Sequence, residues 1–549
     1  MRRQLIATTF TLLALAFSVL PGKAAVWAPP EIYDAGLNKV GVQIVDTFFN
    51  TGEQVSTLQA LPFSQMGQFA PGSRLCVRVG VAPCNQTDQM YTAVLLLPAC
   101  TTATQQWCIE SLGVRNKNQP LAQAKFIRQV DAQTVEDTPG DGIPGGSSMS
   151  LWQAAGVKNG GGADTYAAYV MIRATKNPGR NFFVSDFSAM IFPYSEKRGS
   201  EFSRAMAQEG ALPTGQLGVQ TLGVSTGCAW TENNLCGVLE DFPADTRASM
   251  TLRVSNQLTG WLMGRMSDPI IEVQQFDMEQ NRISIDAEPV LVPKLYALVD
   301  QNQVTPAMRA SLGNPQANFT GVQNLLANYP NSFDIVDAWK DAAKDKAAGL
   351  VTTWSASTVK FGMGSFCLAD TSKLLGVVTT NAMVYEGTAP AFENGTLNYR
   401  VGGMHYNPDG SVFQGSYDLV MRKSAAQCLY GFTDAPITAT VTVVEAGKEQ
   451  RIETSSLQEL GTGENKWLKL SARGFTFSSP TLKIKLNQDK PAVAAPSPST
   501  SQESTAATTT ATPAVKPAKK LASITCVKGK LTRKVTGASP KCPAGYKKK

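Results

Sequence analysis

The chain has 549 residues with a formal net charge of +7, only 17% charged residues, 46 glycines and 31 prolines. This length exceeds what one hydrophobic core supports, so about three domains plus tails are expected. The low charge and the many turn residues favour a β-rich extracellular protein over a helical one, and a single histidine, His405, excludes multi-histidine metal centres.

Residues 1–24 read as a signal peptide. Arg2 and Arg3 precede an apolar run from Phe10 to Leu20, and Ala24 ends a stretch of small residues suited to cleavage. The twin arginines also loosely match a twin-arginine export signal, but ten cysteines favour the general secretory route, since disulfides form more readily after export. No later segment has about eighteen consecutive apolar residues, so no transmembrane helix is predicted.

The cysteines predict five disulfides. Their number is even, sequence neighbours pair without remainder, and metal ligation is disfavoured by the lack of histidines and of C-x-x-C spacing. Among the first four cysteines three connectivities stay open. The predicted pairs are Cys76/Cys84, Cys100/Cys108, Cys228/Cys236, Cys367/Cys428 and Cys526/Cys542.

Residues 25–302 form a predicted N-terminal β region. Runs such as "YTAVLLLPAC" and "DTYAAYVMIRA" alternate with Gly/Pro/Asn/Asp clusters, which is typical of one or two β-sandwich domains. The hydrophobic period then changes, and residues 303–349 are predicted as a helical connector. Thr305 and Pro306 are a good cap and first turn for a short helix ending at Gly313. A second helix is predicted from Ser332, stopped by Gly349.

Strand patterns return in residues 350–487, predicted as a compact antiparallel β-sandwich domain in which an Asn407–Gly410 turn joins two strands. Residues 488–522 are rich in Pro, Ala, Ser and Thr and are predicted to be a disordered linker, because they cannot bury enough apolar surface to offset chain entropy. The expected fold class is therefore mainly β and multi-domain, with a small cystine-closed motif at residues 523–549.

The positive charge is concentrated at the carboxyl end. Residues 516–549 hold eleven of the 50 basic residues and none of the 43 acidic ones, so the rest of the chain has a net charge of −4. A disulfide in this tail would hold its cations together, which predicts a binding site for an anionic polymer. The alternative is a solubilising tail. The predicted polymer-binding residues are Lys528, Lys530, Arg533, Lys534, Lys541, Lys547, Lys548 and Lys549.

Other candidate sites are weaker. In "GWLMGRM", Trp261 and Arg265 are a candidate surface for sugar rings or anionic glycans, against the alternative of a core tryptophan with Arg at the rim. Glu240, Asp241 and Asp245 form the densest acidic cluster, the starting point for a carboxylate-dependent hydrolase. "EDTPGDG" lacks the ligand pattern of an EF-hand and reads as a turn. No catalytic residue, metal site or cofactor is predicted.

Two stretches resemble a group of large secreted actinobacterial cell-surface proteins of unassigned function. They are "MHYNPDGSVFQGSYDLVMRKSAAQCLYGFTDAPITATVTVV", which continues to "WLKLSARGFTFSSPTLKIKL", and the tail "CVKGKLTRKVTGASPKCPAGYKKK". The resemblance extends upstream through "GVVTTNA" and "GWLMGRMSDPIIEV". One departure is Ser424–Gln427, where the group often has charged residues. The resemblance implies a secreted envelope protein and no particular chemistry.

The sequence thus predicts a secreted, cell-wall-associated protein with a structural, adhesive or ligand-binding role. Its expected partners are an anionic envelope polymer and, beyond that, glycans or other surface proteins, with no nucleic acid and no transmembrane anchor. The alternative prediction is a secreted polysaccharide hydrolase that uses carboxylates.

Overall fold

The structure is a computed structural model of the full chain. The predicted signal peptide and nearly all of the predicted linker lie outside the residues that it describes. These are residues 38–46, 54–62, 72–86, 89–131, 135–204, 206–211, 217–222, 228–313, 321–329, 331–358, 367, 373–431, 437–445, 448–452, 456–476, 481–488, 522–528, 531–537, 542 and 546–548.

The described residues are mainly β, as predicted, with three short helices. The first strands are β1 Lys39–Val45, β2 Thr57–Pro62, β3 Arg74–Cys76, β4 Gln89–Leu96, β5 Cys108–Asn116, β6 Lys125–Gln129, β7 Ser150–Gln153, β8 Thr165–Lys176, β9 Phe183–Arg198, β10 Met206–Ala211, β11 Leu217–Leu222, β12 Trp230–Glu232 and β13 Leu235–Leu239. The middle elements are β14 Thr246–Ser255, β15 Gly260–Arg265, β16 Ser267–Gln275, β17 Gln280–Glu288, β18 Val290–Lys294, β19 Tyr296–Asp300, α1 Pro306–Ser311, β20 Gly321–Leu326, α2 Ser332–Trp339 and β21 Gly349–Thr358. The last elements are β22 Leu374–Thr380, β23 Val384–Tyr385, β24 Ala391–Glu393, β25 Thr396–Gly402, β26 Gly415–Arg422, α3 Lys423–Tyr430, β27 Ile437–Glu445, β28 Lys448–Ile452, β29 Ser456–Leu460, β30 Trp467–Phe475, β31 Thr481–Gln488, β32 Ala522–Lys528, β33 Leu531–Gly537 and β34 Lys547–Lys548.

One large sheet runs through most of the chain. Its main path is β29-β30-β26-β22-β15-β21-β9-β8-β4-β2-β3, with further strands attached beside it. A four-stranded sheet, β16-β17-β14-β5, and a smaller sheet built on β25, β31 and β27 accompany it. Most pairs are antiparallel, as predicted, but β15 pairs with β22, and β1 with β20, in parallel. Parallel pairs need long crossover connections, which local turn signals do not reveal.

The central strands of the large sheet are buried on both faces. Every residue of β22 and β26 is buried. Along β26, Val420 joins one hydrophobic core while its neighbours Leu419 and Met421 join another. Successive side chains of a strand point to opposite faces. The large sheet is therefore a shared middle layer between two cores, which explains why these strands are buried along their whole length.

This shared sheet corrects the predicted domain boundaries. Strands from residues 57–198 and from residues 374–475 belong to the same sheet, so the boundaries at 302/303 and 349/350 do not separate independent domains. Strand β1 moreover pairs with β19 on one side and with β20 of the predicted connector on the other. The chain divides into two compact units, residues 1–490 and 491–549.

The helical connector is partly confirmed. Helix α1 begins after Thr305, whose side chain accepts a hydrogen bond from the Met308 backbone N–H, as an N-cap does. Helix α2 begins at Ser332 as predicted but ends at Trp339, well before Gly349, which instead opens β21. Strand β20 between the helices was not predicted. Its pairing with the distant β1 overrides its weak local pattern.

Four of the predicted disulfides are present: Cys76–Cys84, Cys100–Cys108, Cys228–Cys236 and Cys367–Cys428. Cys542 is also disulfide-bonded. The side chain of Cys526 lies outside the described residues, so the Cys526–Cys542 pair stays a prediction. No cysteine of the described part of the chain is free.

Replacing Gly376 with alanine is expected to destabilise the larger of the two compact units, residues 1–490, called the main unit below. Gly376 lies in β22, and an added Cβ would stand 2.4 Å from the Trp261 ring, in a core where both residues are buried. Overpacking of this kind costs about 1–3 kcal/mol. Urea denaturation of the variant measures the loss. Gly140→Ala, where a Cβ meets nothing within 4 Å, is the control; equal stability of the two variants would contradict the packing argument.

Candidate functional site: the cleft at Trp230 and the basic tail

A cleft of about 630 Å³ opens where strand β12 lies near the end of β6. Gln129, Val130 and Asp131 form one side of it, at and just after the end of β6. The other lining residues are Ser147, Arg204, Trp230 and Glu232. The volume lies within the range of small-ligand sites, roughly 300–1,000 Å³. Sequence reasoning assigned no function to these residues.

The Cys228–Cys236 disulfide closes the hairpin that carries Trp230 and Glu232. In this hairpin β12 pairs with β13, and β13 pairs in turn with β9. Asn234, at the turn, has the left-handed φ of 64° that asparagine tolerates. The backbone N–H of Arg204 donates to the side chain of Asn233 at 3.2 Å. The hairpin therefore positions both its own cleft residues and Arg204.

Arg204 and Asp131 form a two-point ion pair in the cleft. Nε and Nη2 of Arg204 donate to the two Asp131 oxygens at 3.1 and 2.5 Å. Asp131 is almost wholly buried, whereas the Arg204 side chain is 40% exposed. The hydrogen bond from Arg204 to Asp131 and the negative charge of that carboxylate raise the pKa of Arg204. The Ser148 hydroxyl holds the Asp131 backbone with two hydrogen bonds. It accepts from the Asp131 N–H and donates to the Asp131 C=O, each at 2.9 Å.

A second arginine covers the Trp230 ring. The Arg128 guanidinium carbon lies 5.8 Å from the ring centroid, and Arg128 also donates to Glu196 at 3.0 Å. This is cation–π geometry. Since Trp230 is only 1% exposed, its ring face is not available for stacking on a ligand.

Trp261 and Arg265, the candidate glycan-binding pair, lie in the interior, 2% and 1% exposed. The alternative of a core tryptophan, which the sequence favoured, is confirmed for Trp261, but Arg265 is buried and does not lie at the rim. Arg265 donates to Asp46 through Nε at 3.0 Å and Nη2 at 2.6 Å. It also donates to the backbone carbonyls of Thr380 and Met383, each at 3.2 Å. These contacts join β15 to the end of β1.

His405 is held by Asp345. Its Nδ1 lies 2.6 Å from Asp345 Oδ2, and its backbone N–H donates to Oδ1 at 3.0 Å. Lys340 lies 3.5 Å from the same carboxylate. These bonds tie the segment after α2 to the segment after β25.

The residues of the predicted acidic cluster have different hydrogen-bond partners. Glu240 accepts a hydrogen bond from the Ser195 hydroxyl at 2.5 Å, while Asp241 accepts one from Thr352 at 3.0 Å. Burial raises the pKa of Asp241, the hydrogen bond from Thr352 opposes this change, and the negative charge of Glu240 raises the pKa of Asp241 further. Asp245 occupies a tight turn at φ 55°. Within the part of the chain that the structure describes, no group of three or more His, Cys, Asp or Glu side chains is arranged to hold a metal ion.

A larger ionic cluster, not predicted from the sequence, lies at the bulge in β16. The Asp268 carboxylate contacts Lys469 of β30 and accepts from Arg247 of β14 at 2.9 Å, while its backbone N–H donates to Asp418 of β26 at 3.0 Å. Burial opposes ionisation of Asp268, but Lys469 and Arg247 outweigh it and lower the pKa of Asp268. Because every charge in this cluster has a partner, it serves to join the four-stranded sheet to the large one.

The tail is a small three-stranded sheet in the second compact unit. Strand β32 pairs with β33 on one side and β34 on the other. In the backbone register Cys526 stands opposite both Arg533 and Lys548, and Thr525 stands opposite Lys534. Lys547 and Lys548 are exposed. Of the other predicted polymer-binding residues, Lys528 ends β32, and Lys530, Lys541 and Lys549 lie outside the described residues.

The fold and its disulfides are those of a mainly β protein of the extracellular type. None of the helices in the described residues is both long and apolar enough to span a membrane. No protein-family model matches the chain, and no curated protein matches it either.

Proposed function

We propose that this is an exported protein of the cell envelope, held there by its basic tail, which docks on an anionic polymer. The main unit, braced by disulfides, would then act outside the cell in a structural, adhesive or ligand-binding role. The resemblance to secreted actinobacterial cell-surface proteins agrees with this proposal.

The observation that carries the proposal is the build of the tail. Residues 491–549 form a compact unit of their own, and its sheet brings basic positions from three separate strands into register. Residues 516–549 contain no acidic residue. A folded basic segment without acidic residues favours binding to a polyanion, because no side-chain carboxylate of residues 516–549 neutralises its charges.

The mechanism is electrostatic. Each cation that contacts a charged polymer releases condensed counterions, so the affinity falls steeply as salt concentration rises. The main unit, with its net negative charge, does not contribute to this attraction.

Replacing Lys547 and Lys548 with glutamine in the full chain is expected to weaken binding to an anionic polymer and to flatten its salt dependence. By analogy with nucleic acids, the slope of log K against log salt should fall by about 0.7–0.9 for each lost contact. The measurement is binding to polyphosphate and to purified cell-wall fragments between low and physiological salt.

Lys125→Gln with Lys158→Gln is the matched control, since both lysines are exposed in the main unit and the charge change is the same. It should leave the affinity and the slope unchanged. If removal of residues 516–549 leaves the protein bound to cells at low salt, the docking role of the tail is wrong.

A further inference from the structure

The peptide bond between Asp268 and Pro269 lies in the bulge of β16. The pairing of β16 with β17 is interrupted at these two residues, which have no partner in the strand register. The Asp268 backbone N–H donates instead to the Asp418 carboxylate at 3.0 Å, and the Asp268 carbonyl oxygen accepts from Arg247 Nη2 at 2.8 Å. Charged side chains therefore hold this backbone where the strand ladder does not.

The backbone of Asp268 is strained. Its φ is 53°, in the left-handed region. Aspartate enters that region more readily than most residues, but a residue that precedes proline prefers extended backbone. Such strain persists only where surrounding contacts enforce it, and it is found most often at functional sites. Breaking the bond between Asp268 and Pro269 would release this strain.

One guanidinium holds the Asp268 carboxylate beside the Asp268 carbonyl group. Arg247 Nη1 donates to Oδ2 at 2.9 Å, while Nη2 donates to the carbonyl oxygen at 2.8 Å. Because the guanidinium is a rigid planar fork, the two oxygens that it holds lie side by side. An ionised carboxylate is a nucleophile, and a positive donor on a carbonyl oxygen stabilises the negative charge that attack places there.

The Asp268 carboxyl is also ionised and open to water. Burial raises its pKa, but Lys469 and Arg247 outweigh burial and lower the pKa below the ordinary value. The side chain is 45% exposed, so water reaches it. Hydrolysis through a covalent intermediate needs both a charged nucleophile and a supply of water.

We propose that the chain cleaves itself between Asp268 and Pro269. The Asp268 carboxylate attacks its own main-chain carbonyl carbon, and a cyclic anhydride closes as the carbon–nitrogen bond to Pro269 breaks. The electron pair of that bond goes to the Pro269 nitrogen, which takes a proton from water. The hydroxide left behind opens the anhydride, so one water molecule is consumed. The products are a chain that ends at Asp268 and a chain that begins at Pro269.

The fold holds the two products together. Strand β15, which precedes the cut, pairs with β21 and β22, which follow it. Strand β14, also before the cut, pairs with β17 after it. The product is therefore a two-chain protein joined by shared sheets. Cleavage does not depend on the basic tail, so it is tested separately from envelope docking.

The test is incubation of the purified full chain at neutral and mildly acidic pH, followed by measurement of the intact masses of the products. We expect fragments that end at Asp268 and begin at Pro269. The same bond in urea-unfolded protein should cleave about a hundredfold more slowly, since unfolding removes the Arg247 donor from the carbonyl oxygen. The rate should not change with protein concentration, because the attack is intramolecular.

Two variants test the roles of the side chains. Asp268→Asn fits the same backbone but lacks the carboxylate, so it should abolish cleavage. Arg247→Lys keeps the positive charge without the fork that holds both oxygens, so it should slow cleavage about 10²- to 10³-fold. Thermal melting of each variant checks folding, and the comparison with the unfolded wild type decides the proposal even where a variant is unstable.

Asn177→Asp is the matched control, because it places an aspartate before Pro178 in an exposed turn of the same protein. The carbonyl of residue 177 accepts from the Arg180 backbone N–H at 3.0 Å. This bond should cleave no faster than an unfolded one.

The proposal is overturned if the folded chain is not cut after Asp268, or if it is cut there no faster than the unfolded chain. Equal cleavage in Asp268→Asn, or at the control bond, would also overturn it. Separation of the two fragments during gel filtration in native buffer would contradict the two-chain product.

Discussion

Replacing Asp46 with asparagine should lower the free energy of unfolding of the main unit by about 3–5 kcal/mol, the usual loss when one partner of a buried ion pair is removed. Asp46 accepts from Arg265 at 2.6 Å and from Lys294 at 2.9 Å. All three side chains are under 10% exposed. Asparagine fills the same volume, so the loss reports the two uncompensated positive charges and not a cavity.

The same group predicts a pH dependence. Burial opposes ionisation of Asp46, but Arg265 and Lys294 outweigh it and lower its pKa below the ordinary value. A carboxyl whose pKa is lowered by folding stabilises the native state above its unfolded pKa of about 3.9. That contribution is lost as the pH falls through the folded value. The stability gap between wild type and Asp46→Asn should therefore be largest near neutral pH and narrow below about pH 4.

Urea denaturation at neutral and acid pH measures both effects. Asp137→Asn, an exposed aspartate of the main unit, is the control and should change stability by less than about 0.5 kcal/mol. A loss at Asp46 no larger than that of the control, or a gap that widens in acid, would contradict the proposed charge pairing.

Removing the Cys367–Cys428 disulfide by replacing both residues with alanine should cost about 4 kcal/mol. This bond spans 61 residues, whereas the other three disulfides with both partners described each span 8. Loop closure restricts the unfolded chain more for a longer loop, so the loss for an 8-residue span is about 2.5 kcal/mol.

The control is the Cys76/Cys84 double alanine variant. Its free energy of unfolding is compared with that of the Cys367/Cys428 variant by denaturation under the same conditions. Cys76 and Cys84 are both buried, while Cys367 is half-buried and Cys428 exposed. The control variant therefore also loses buried packing, which increases its stability loss. This reduces the predicted difference between the two variants. If the long-span variant is the more stable of the two, chain entropy does not account for these disulfides.

The cysteine pairs show which structural features can be predicted from local sequence alone. Cys228/Cys236 was predictable because its partners are close in sequence and far from the other cysteines, whereas Cys76/Cys84 and Cys100/Cys108 were one of three connectivities that the sequence left open. The Thr305 cap of α1 was also predictable, since capping depends on a few adjacent residues.

Local sequence patterns do not predict the cleft at Trp230. Arg204 and Asp131 are 73 residues apart, and Asp131 and Trp230 lie on elements that no local pattern places side by side. The one available signal was the predicted Cys228/Cys236 disulfide, which encloses Trp230 in the sequence but does not show what Trp230 faces. Arg265 was misjudged because its partner, Asp46, is 219 residues away.

The sequence by itself determined the β class, the Cys228–Cys236 and Cys367–Cys428 cystines and the separation of charge between the tail and the rest of the chain. These follow from composition, spacing and local turn chemistry. The sequence left three connectivities open among the first four cysteines. Only the tertiary structure decided that strands from both halves share one sheet, that Asp46, Arg265 and Lys294 are buried together, and that a cleft forms at Trp230. Each of these depends on which strands pair across hundreds of residues, and strand alternation specifies a buried face without specifying the partner that covers it.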